Sequence, residues 1–281
     1  MKTDQELKAL VKQKYSEIAL NEKAVNQSSC CGAGGCSGEV YNIMTDDYTH
    51  LEGYQPTADL GLGCGLPTEF ARIKKGDIVI DLGSGAGNDC FIARKETGAE
   101  GEVIGIDFTD AMIEKARNNA VHLGFNNVSF RLGDMEAMPV ADNFADVVVS
   151  NCVLNLVPAK DTVFQEIFRV LKPGGHFSIS DIVLVGSLPE ELQKDAEMYA
   201  GCISGAIQKK VYLEMISNNG FVNSSIQKEK PIIIPDDILK NYLDEDALKA
   251  FKSGNTGIFS ITVYAEKPMN KNNCCGPDCC N

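Results

Sequence analysis

The sequence predicts an α/β fold built on one mainly parallel sheet with helices on both faces. Short apolar runs alternate with helical stretches from DIVIDLGSGAGND onward, and this alternation is typical of strand–helix–strand units. The segment DLGSGAG follows the first of these strands and opens a helix, which is the arrangement of many nucleotide sites. Turn residues also separate the helices from the strands. The fold class follows from these three observations.

The elements are predicted in chain order. A charged helix extends to about residue 27, and the small-residue loop NQSSCCGAGGCSG follows it. Pro67 suits the first turn of the short helix PTEFARI. Thr109 is an expected N-cap, and Pro173-Gly174-Gly175 is expected to stop a helix that ends at Lys172. The first strand opens the segment DIVIDLGSGAGND. The remaining segments are the strands EVIGID, VSFRLGD, ADVVVSN, HFSISDIVLV, NSSIQKE and GIFSITVYAEKP, and the helices TDAMIEKARNNAVHLG, KDTVFQEIFRVLK, PEELQKDAEMYAGCISGA and KKVYLEMISNNGF.

Four parts are expected along the chain. Residues 1–50 form an N-terminal helix and cysteine-rich loop, and residues 51–230 form the cofactor-binding core. Residues 231–268 include the final strand, and residues 269–281 are a cysteine-rich tail without regular structure.

Composition excludes several classes of partner. The net charge of −13 and the scattered basic residues disfavour a nucleic acid or an anionic membrane. No apolar run approaches the roughly 20 residues of a membrane span, so a cytoplasmic protein is expected. Eleven cysteines would be reduced there, and their odd number argues against a closed set of disulfides.

A nucleoside ligand is predicted at the glycine-rich turn. The spacing Gly83-x-Gly85-x-Gly87 lets the backbone approach a ligand closely, although the motif alone leaves dinucleotides and other nucleosides equally open. Asp107 ends the next strand, where a carboxylate can accept hydrogen bonds from both ribose hydroxyls. The residues assigned to this site are Asp81, Gly83, Ser84, Gly85, Gly87, Asp107, Phe108, Asp134, Met135 and Asn151, with Asp134 and Met135 placed near an adenine ring.

Three cysteines can converge beside this site. Cys152 follows the fourth strand, and Cys202 lies on a helix after the fifth strand with Gly201 and Gly205 on its two sides. Cys64 lies between glycines that should leave its sulfur accessible. Three thiolates would select a soft, thiophilic ion such as trivalent arsenic. Ordinary buried packing is the competing interpretation, and it is the one we adopt for Cys90.

The cofactor motifs resemble those of class I S-adenosylmethionine-dependent methyltransferases over roughly residues 60–185. The whole sequence resembles bacterial arsenite methyltransferases through LGLGCGLP, VIDLGSGAGND, SNCVLNLVPAK, RVLKPGG and AGCISGA, a match that spans nearly all of residues 36–268. The resemblance implies a Rossmann-like sheet of order 3-2-1-4-5-7-6 with strand seven antiparallel. It also implies S-adenosylmethionine as cofactor and Cys64, Cys152 and Cys202 as arsenite ligands, with Cys36 as the fourth family cysteine.

The resemblance further implies a mechanism. The arsenic lone pair attacks the sulfonium methyl in line, S-adenosylhomocysteine leaves, and the protein mainly aligns the reactants. Arsenic is formally oxidised, so a dithiol must return two electrons. A Cys36–Cys64 pair is the family-based candidate, reset by a thioredoxin- or glutathione-type reductant.

Two alternatives remain open at the level of sequence. One is a methyltransferase for an organic acceptor such as a quinone precursor. The other is a thiol-rich metal-binding or metal-sensing protein, because Cys31-x4-Cys36 and Cys275-x3-Cys279 have zinc-ligand spacing. The tail, with its paired cysteines, is expected either to intercept arsenite or to have no kinetic role.

Overall fold

A computed structural model describes residues 3–20, 45–190, 205–254 and 257–269 of the chain. The described helices are α1 (Asp4–Leu20), α2 (Pro67–Phe70), α3 (Asn88–Thr97), α4 (Asp110–Leu123), α5 (Lys160–Val170), α6 (Lys209–Asn218), α7 (Asp236–Leu239) and α8 (Glu245–Ser253). The strands are β1 (Ile78–Leu82), β2 (Glu102–Asp107), β3 (Val128–Leu132), β4 (Ala145–Asn151), β5 (Leu171–Val185), β6 (Ile207–Gln208), β7 (Val222–Pro231) and β8 (Gly257–Glu266).

These strands form one sheet in the order β3-β2-β1-β4-β5-β8-β7, and the two-residue β6 pairs with β5. Strands β1 to β5 are parallel, and β8 lies antiparallel between β5 and β7. When β6 is left out of the numbering, this is the expected order 3-2-1-4-5-7-6. The fold class and the antiparallel strand are therefore confirmed.

Helix α4 begins where the sequence indicated but is capped differently. Thr109 has extended backbone geometry at the N-cap, yet its side chain makes no capping bond. Its backbone N–H instead donates to the Asp107 carboxylate at 2.8 Å. Gly124 ends the helix in the left-handed region at φ +67°, as glycine commonly does. The expected N-cap position is confirmed, and Thr109 occupies it without a side-chain capping bond.

The end of α5 requires a correction. The helix ends at Val170, two residues before the expected Lys172, and Pro173-Gly174-Gly175 lies within β5. A residue that precedes proline is disfavoured in the helical region, and Leu171 is already extended at ψ 137°. The pairing of β4 with β5 shifts register at this point, so the proline and glycines form an irregularity in the strand rather than a helix stop.

A buried carboxyl group in β5 supplies a prediction about stability. Asp181 is completely buried, and Tyr212 Oη in α6 donates to it at 3.5 Å. Burial raises the pKa of Asp181 to about 7, although the nearby Lys160 opposes the rise. An acid whose pKa is raised on folding stabilises the protein below its unfolded pKa, and this stability is lost as the pH rises through the folded pKa.

We therefore expect Asp181→Asn to become more stable relative to the wild type as the pH rises from about 4 to 7. The gain should reach roughly 4 kcal/mol by pH 8. Urea unfolding of both proteins across this range measures the difference. A difference that stays constant with pH would contradict the assignment. Asp89, whose pKa is also raised, to about 6, affects both proteins alike.

Candidate active site

A cavity of about 760 Å³ opens at the carboxyl ends of β1, β2 and β4. In open α/β sheets the ligand crevice lies at this edge, where the strand order reverses. The residues that line it include Tyr15, Tyr48, Asp59, Gly63, Asp81, Gly83, Ser84, Gly85, Asp89, Asp107, Phe108, Asn151, Cys152 and Val153.

The glycine-rich turn after β1 shapes the cavity floor. Gly83 has φ +66°, and a Cβ there would approach Val153 to 2.5 Å. A Cβ at Gly85 would meet nothing closer than Met112 Sδ at 3.9 Å, so a side chain at Gly85 would project into the cavity. Gly87 is not among the described residues that line the cavity. Because glycine has no Cβ, the rings of Phe91 and Phe130 can pack against it. Two of the three predicted glycines thus form a cradle.

Carboxylates dominate the charge of this cavity. Asp107 accepts from Thr109 N at 2.8 Å and from Gly85 N at 3.0 Å. Burial raises the pKa of Asp107 despite these bonds. Burial and the neighbouring Asp89 raise the pKa of Asp81 well above its ordinary value. The described lining contains these acids and no lysine or arginine, so it favours a ligand that carries positive charge.

A second cavity of about 390 Å³ adjoins the first and contains the predicted adenine-site residues. Asp134 and Met135 line it, and Asp107 and Phe108 line both cavities. Lys8 of α1 also lines this second cavity. The two cavities therefore meet at Asp107 and Phe108.

The residues present fit S-adenosylmethionine. Ser84 Oγ is buried and has no hydrogen-bond partner among the described residues, which leaves a polar atom for a ligand to satisfy. The Gly85 cradle, the Asp107 carboxylate where the two cavities meet and the acidic lining suit a nucleoside that carries a cationic sulfonium and an ammonium group.

Cys152 lies at the edge of this cavity. It follows β4 directly and adopts a left-handed backbone at φ +60°, which is unusual for a residue with a side chain. Its N–H donates to Ser180 O in β5 at 2.8 Å. Cys152 lines the cavity and is 3% exposed. The strained turn therefore directs this thiol toward the cofactor compartment.

Cys64 packs in the same apolar cluster as Cys152, together with residues of α1, β5, α7, α8 and β8. Cys64, Cys90 and Cys152 are thiols rather than half-cystines. Cys90 is buried and donates to Asp81 at 3.2 Å, in agreement with a packing role.

The expected accessibility of Cys64 is wrong. Its exposed fraction is 0%, and the flanking glycines serve close packing instead. A Cβ at Gly63 would approach Asn151 Nδ2 to 2.7 Å, and a Cβ at Gly65 would approach Ser180 Oγ to 2.5 Å. The glycines thus let the Cys64 loop lie directly against β4 and β5.

A polar network that the sequence did not reveal holds the Cys64 loop. Asn151 Oδ1 accepts from Cys64 N at 3.0 Å, and Asn151 Nδ2 donates to Gly65 O at 2.8 Å. The same amide donates to Tyr48 Oη and to Asp89 at 3.3 Å, and Tyr48 donates to Asp89 at 3.1 Å. Asp89 lies two residues after Gly87 of the glycine-rich turn, and this position was the available sequence signal. Tyr48 is distant in sequence from its partners and carried none.

Several predicted residues lie outside the described part of the chain. They are Cys36, Cys202, the other N-terminal cysteines Cys30 and Cys31, and the four tail cysteines. Within the described ranges, no group of three or more His, Cys, Asp or Glu residues is arranged to hold a metal ion. Nor does any described helix have the length and apolarity needed to cross a membrane.

Comparison with known proteins agrees with this geometry. The family model for a methyltransferase domain matches residues 73–220. An arsenite methyltransferase from Halobacterium salinarum is 37% identical over 277 residues, which is 94% of this chain and 67% of the relative. An arsenite methyltransferase from Aquipseudomonas alcaligenes is 33% identical over 82% of this chain and 66% of its own length. The chain thus spans about two thirds of each relative.

A solved structure shows the same fold with related sequence. It is an arsenic(III) S-adenosylmethionine methyltransferase from Chlamydomonas reinhardtii, with a TM-score of 0.63 and 29% identity. The match covers 82% of this chain and 73% of that structure.

The fold, the glycine cradle and the matched domain define an S-adenosylmethionine-dependent methyltransferase. Within that class, the chain belongs to the arsenite methyltransferase family.

Proposed function

We propose that this protein methylates arsenite, with the arsenic held by Cys64, Cys152 and Cys202. The observation that carries the proposal is the position of Cys152, which lines the cofactor cavity while packing in one apolar cluster with Cys64. Three thiolates would hold trivalent arsenic in a pyramid whose lone pair faces the open side. We assign Cys202 as the third arsenic ligand because the resemblance to the family implies it.

Binding of arsenite replaces three As–OH groups by three As–S bonds, and each thiol proton leaves with a hydroxyl as water. The apolar cluster around Cys64 and Cys152 includes Leu156, Ile182 and Ile258, so it excludes competing water from these bonds. S-adenosylmethionine supplies an electrophilic methyl group on a positively charged sulfur.

Methyl transfer needs alignment more than acid or base catalysis. The arsenic lone pair forms the As–C bond, and the electrons of the breaking S–C bond remain on the departing sulfur. Arsenic has no proton to lose, so no general base is required. The left-handed turn at Cys152 and the Asn151 bonds to the Cys64 loop fix the thiols relative to the cavity, and such alignment can supply much of the rate.

The methylated arsenic is formally pentavalent, and a dithiol that becomes a disulfide returns the two electrons. The Cys36–Cys64 pair is our candidate, and an external thioredoxin- or glutathione-type thiol would reduce it again. We place the reaction in the cytoplasm, as part of arsenic detoxification, and keep the four-part division of the chain as a working hypothesis.

The test is incubation with labelled S-adenosylmethionine, arsenite and thiol, followed by arsenic speciation. We expect arsenite-dependent S-adenosylhomocysteine and methylated arsenic. Cofactor binding without arsenite-dependent turnover would contradict the proposal. Turnover with a quinone precursor instead would favour an organic acceptor. Metal analysis of the purified protein shows whether it carries a zinc site formed by the terminal cysteines, and this result is independent of which acceptor is methylated.

A further prediction concerns Asn151. Asn151→Ala removes the acceptor of the Cys64 N–H and the donors to Gly65 O and Asp89, so the Cys64 loop loses its fixed position. We expect the KM for arsenite to rise about tenfold or more, because two to three buried hydrogen bonds are lost. Steady-state kinetics against arsenite concentration measures it.

The control for this prediction is Asn118→Ala, since Asn118 is exposed on α4. It should behave as the wild type. An unchanged arsenite KM in Asn151→Ala would show that the network does not position Cys64.

A further inference from the structure

Helix α1 forms part of the wall of both cavities. Tyr15 lines the larger cavity, and Lys8 lines the smaller one. These residues are seven positions apart, which is two helical turns, so they lie on the same face of α1. One face of the N-terminal helix therefore borders both cavities of the candidate cofactor site.

The apolar side chains of α1 join the clusters beneath this site. Val11 is 1% exposed and packs in the cluster that contains Cys152. Ile18 is 3% exposed and packs in the cluster that contains Met112. Tyr15 contacts both clusters. Burial of these apolar side chains therefore holds α1 against the candidate site.

Lys8 and Lys12, one helical turn apart on α1, form ion pairs that differ in exposure. Lys8 Nζ donates to Asp134 Oδ2 at 2.7 Å and also to Glu136. Lys12 pairs with Asp110 at 2.8 Å, but both side chains are largely exposed, at 46% and 67%. Exposed pairs contribute little. The Lys8 pair is the one at the cofactor site, because Asp134 also lines the cavity that Lys8 lines.

The charge of Lys8 is retained in this position. Burial alone would lower its pKa, but the hydrogen bonds and charges of Asp134 and Glu136 outweigh that effect and raise the pKa. Lys8 is the cationic side chain in the described lining of the two cavities, and the other charged side chains of that lining are acidic.

We propose that α1 is a cofactor-binding element whose Lys8–Tyr15 face closes over bound S-adenosylmethionine, with the Lys8 contact to Asp134 as its latch. The cofactor then leaves only when α1 undocks. This inference depends on the use of S-adenosylmethionine and not on the arsenic chemistry, so it can fail or hold independently of the proposed acceptor.

The experiment uses the full-length protein and S-adenosylhomocysteine, without arsenite. Hydrogen exchange of residues 4–20 should slow severalfold when S-adenosylhomocysteine is bound. Lys8→Ala should weaken S-adenosylhomocysteine binding about fivefold and speed its dissociation. Lys12→Ala, the matched control on the same helix, should stay within about twofold of the wild type.

Two results would overturn the proposal. One is exchange of residues 4–20 that does not respond to the ligand in the wild-type protein, a measurement that needs no variant to fold. The other is Lys8→Ala binding S-adenosylhomocysteine as tightly as the wild type does. Equal weakening by Lys8→Ala and Lys12→Ala would indicate general loss of helix docking, and it too would contradict a latch at Lys8.

Discussion

Cys152→Ser should lose essentially all methylation of arsenite, by at least about 1,000-fold. A hydroxyl is a hard and weakly coordinating ligand compared with a thiolate, and two remaining sulfurs would leave the arsenic free to move. Misplacement of a reactant by about 1 Å can itself cost about 100-fold. Methyl transfer followed by arsenic speciation measures the effect, and Cys202→Ser should behave in the same way.

Cofactor binding separates this result from misfolding. Cys152→Ser should bind S-adenosylhomocysteine nearly as the wild type does, because Cys152 lies at the edge of the cavity and Ser has similar volume. Cys90→Ser is the matched control: Cys90 is equally buried, and a serine can still donate to Asp81. It should retain activity. Wild-type turnover by Cys152→Ser would refute the three-thiolate site.

Local signals in the sequence were enough to bring several residues predicted to bind the cofactor to one cavity. Gly83, Gly85 and Asp107 each lie at the end of a strand, and parallel strands bring their carboxyl ends to one edge. Position along the chain was therefore enough to place them together. The same reasoning placed Cys152 beside the cavity, since β4 ends at Asn151.

Long-range contacts were beyond the same reasoning. Lys8 and Asp134 are separated by 126 residues, and no periodicity in α1 shows which face of the sheet it covers. The burial of Cys64 was missed for a related reason. Flanking glycines permit either exposure or close packing, and only the positions of Asn151 and Ser180 decide between them.

The fold was predicted where hydrophobic pattern and turn chemistry agree, as at α4 and β4. It was missed where they conflict. At Pro173-Gly174-Gly175 the residues are typical of a helix stop, yet Leu171 pairs with Ala145 of β4. Strand pairing therefore begins before the turn residues do, and this tertiary contact overrides the local signal.

Asp107→Ala should weaken S-adenosylmethionine binding by roughly 1.5–3 kcal/mol, or about 10- to 150-fold in Kd. The variant removes a buried carboxylate that lines both cavities and accepts from Gly85 N and Thr109 N, so it loses a charged acceptor for the ribose and loosens the glycine turn. Asp107→Asn keeps the shape without the charge, and its affinity for S-adenosylmethionine should be intermediate.

Because burial raises the pKa of Asp107, the affinity of the wild type for S-adenosylmethionine should also fall as the pH is lowered through that pKa. This part of the pH dependence should be absent from Asp107→Ala. Asp142→Ala, which removes a surface carboxylate paired with Arg169, is the control and should bind as the wild type. A dissociation constant in Asp107→Ala equal to that of the control would remove Asp107 from the cofactor site.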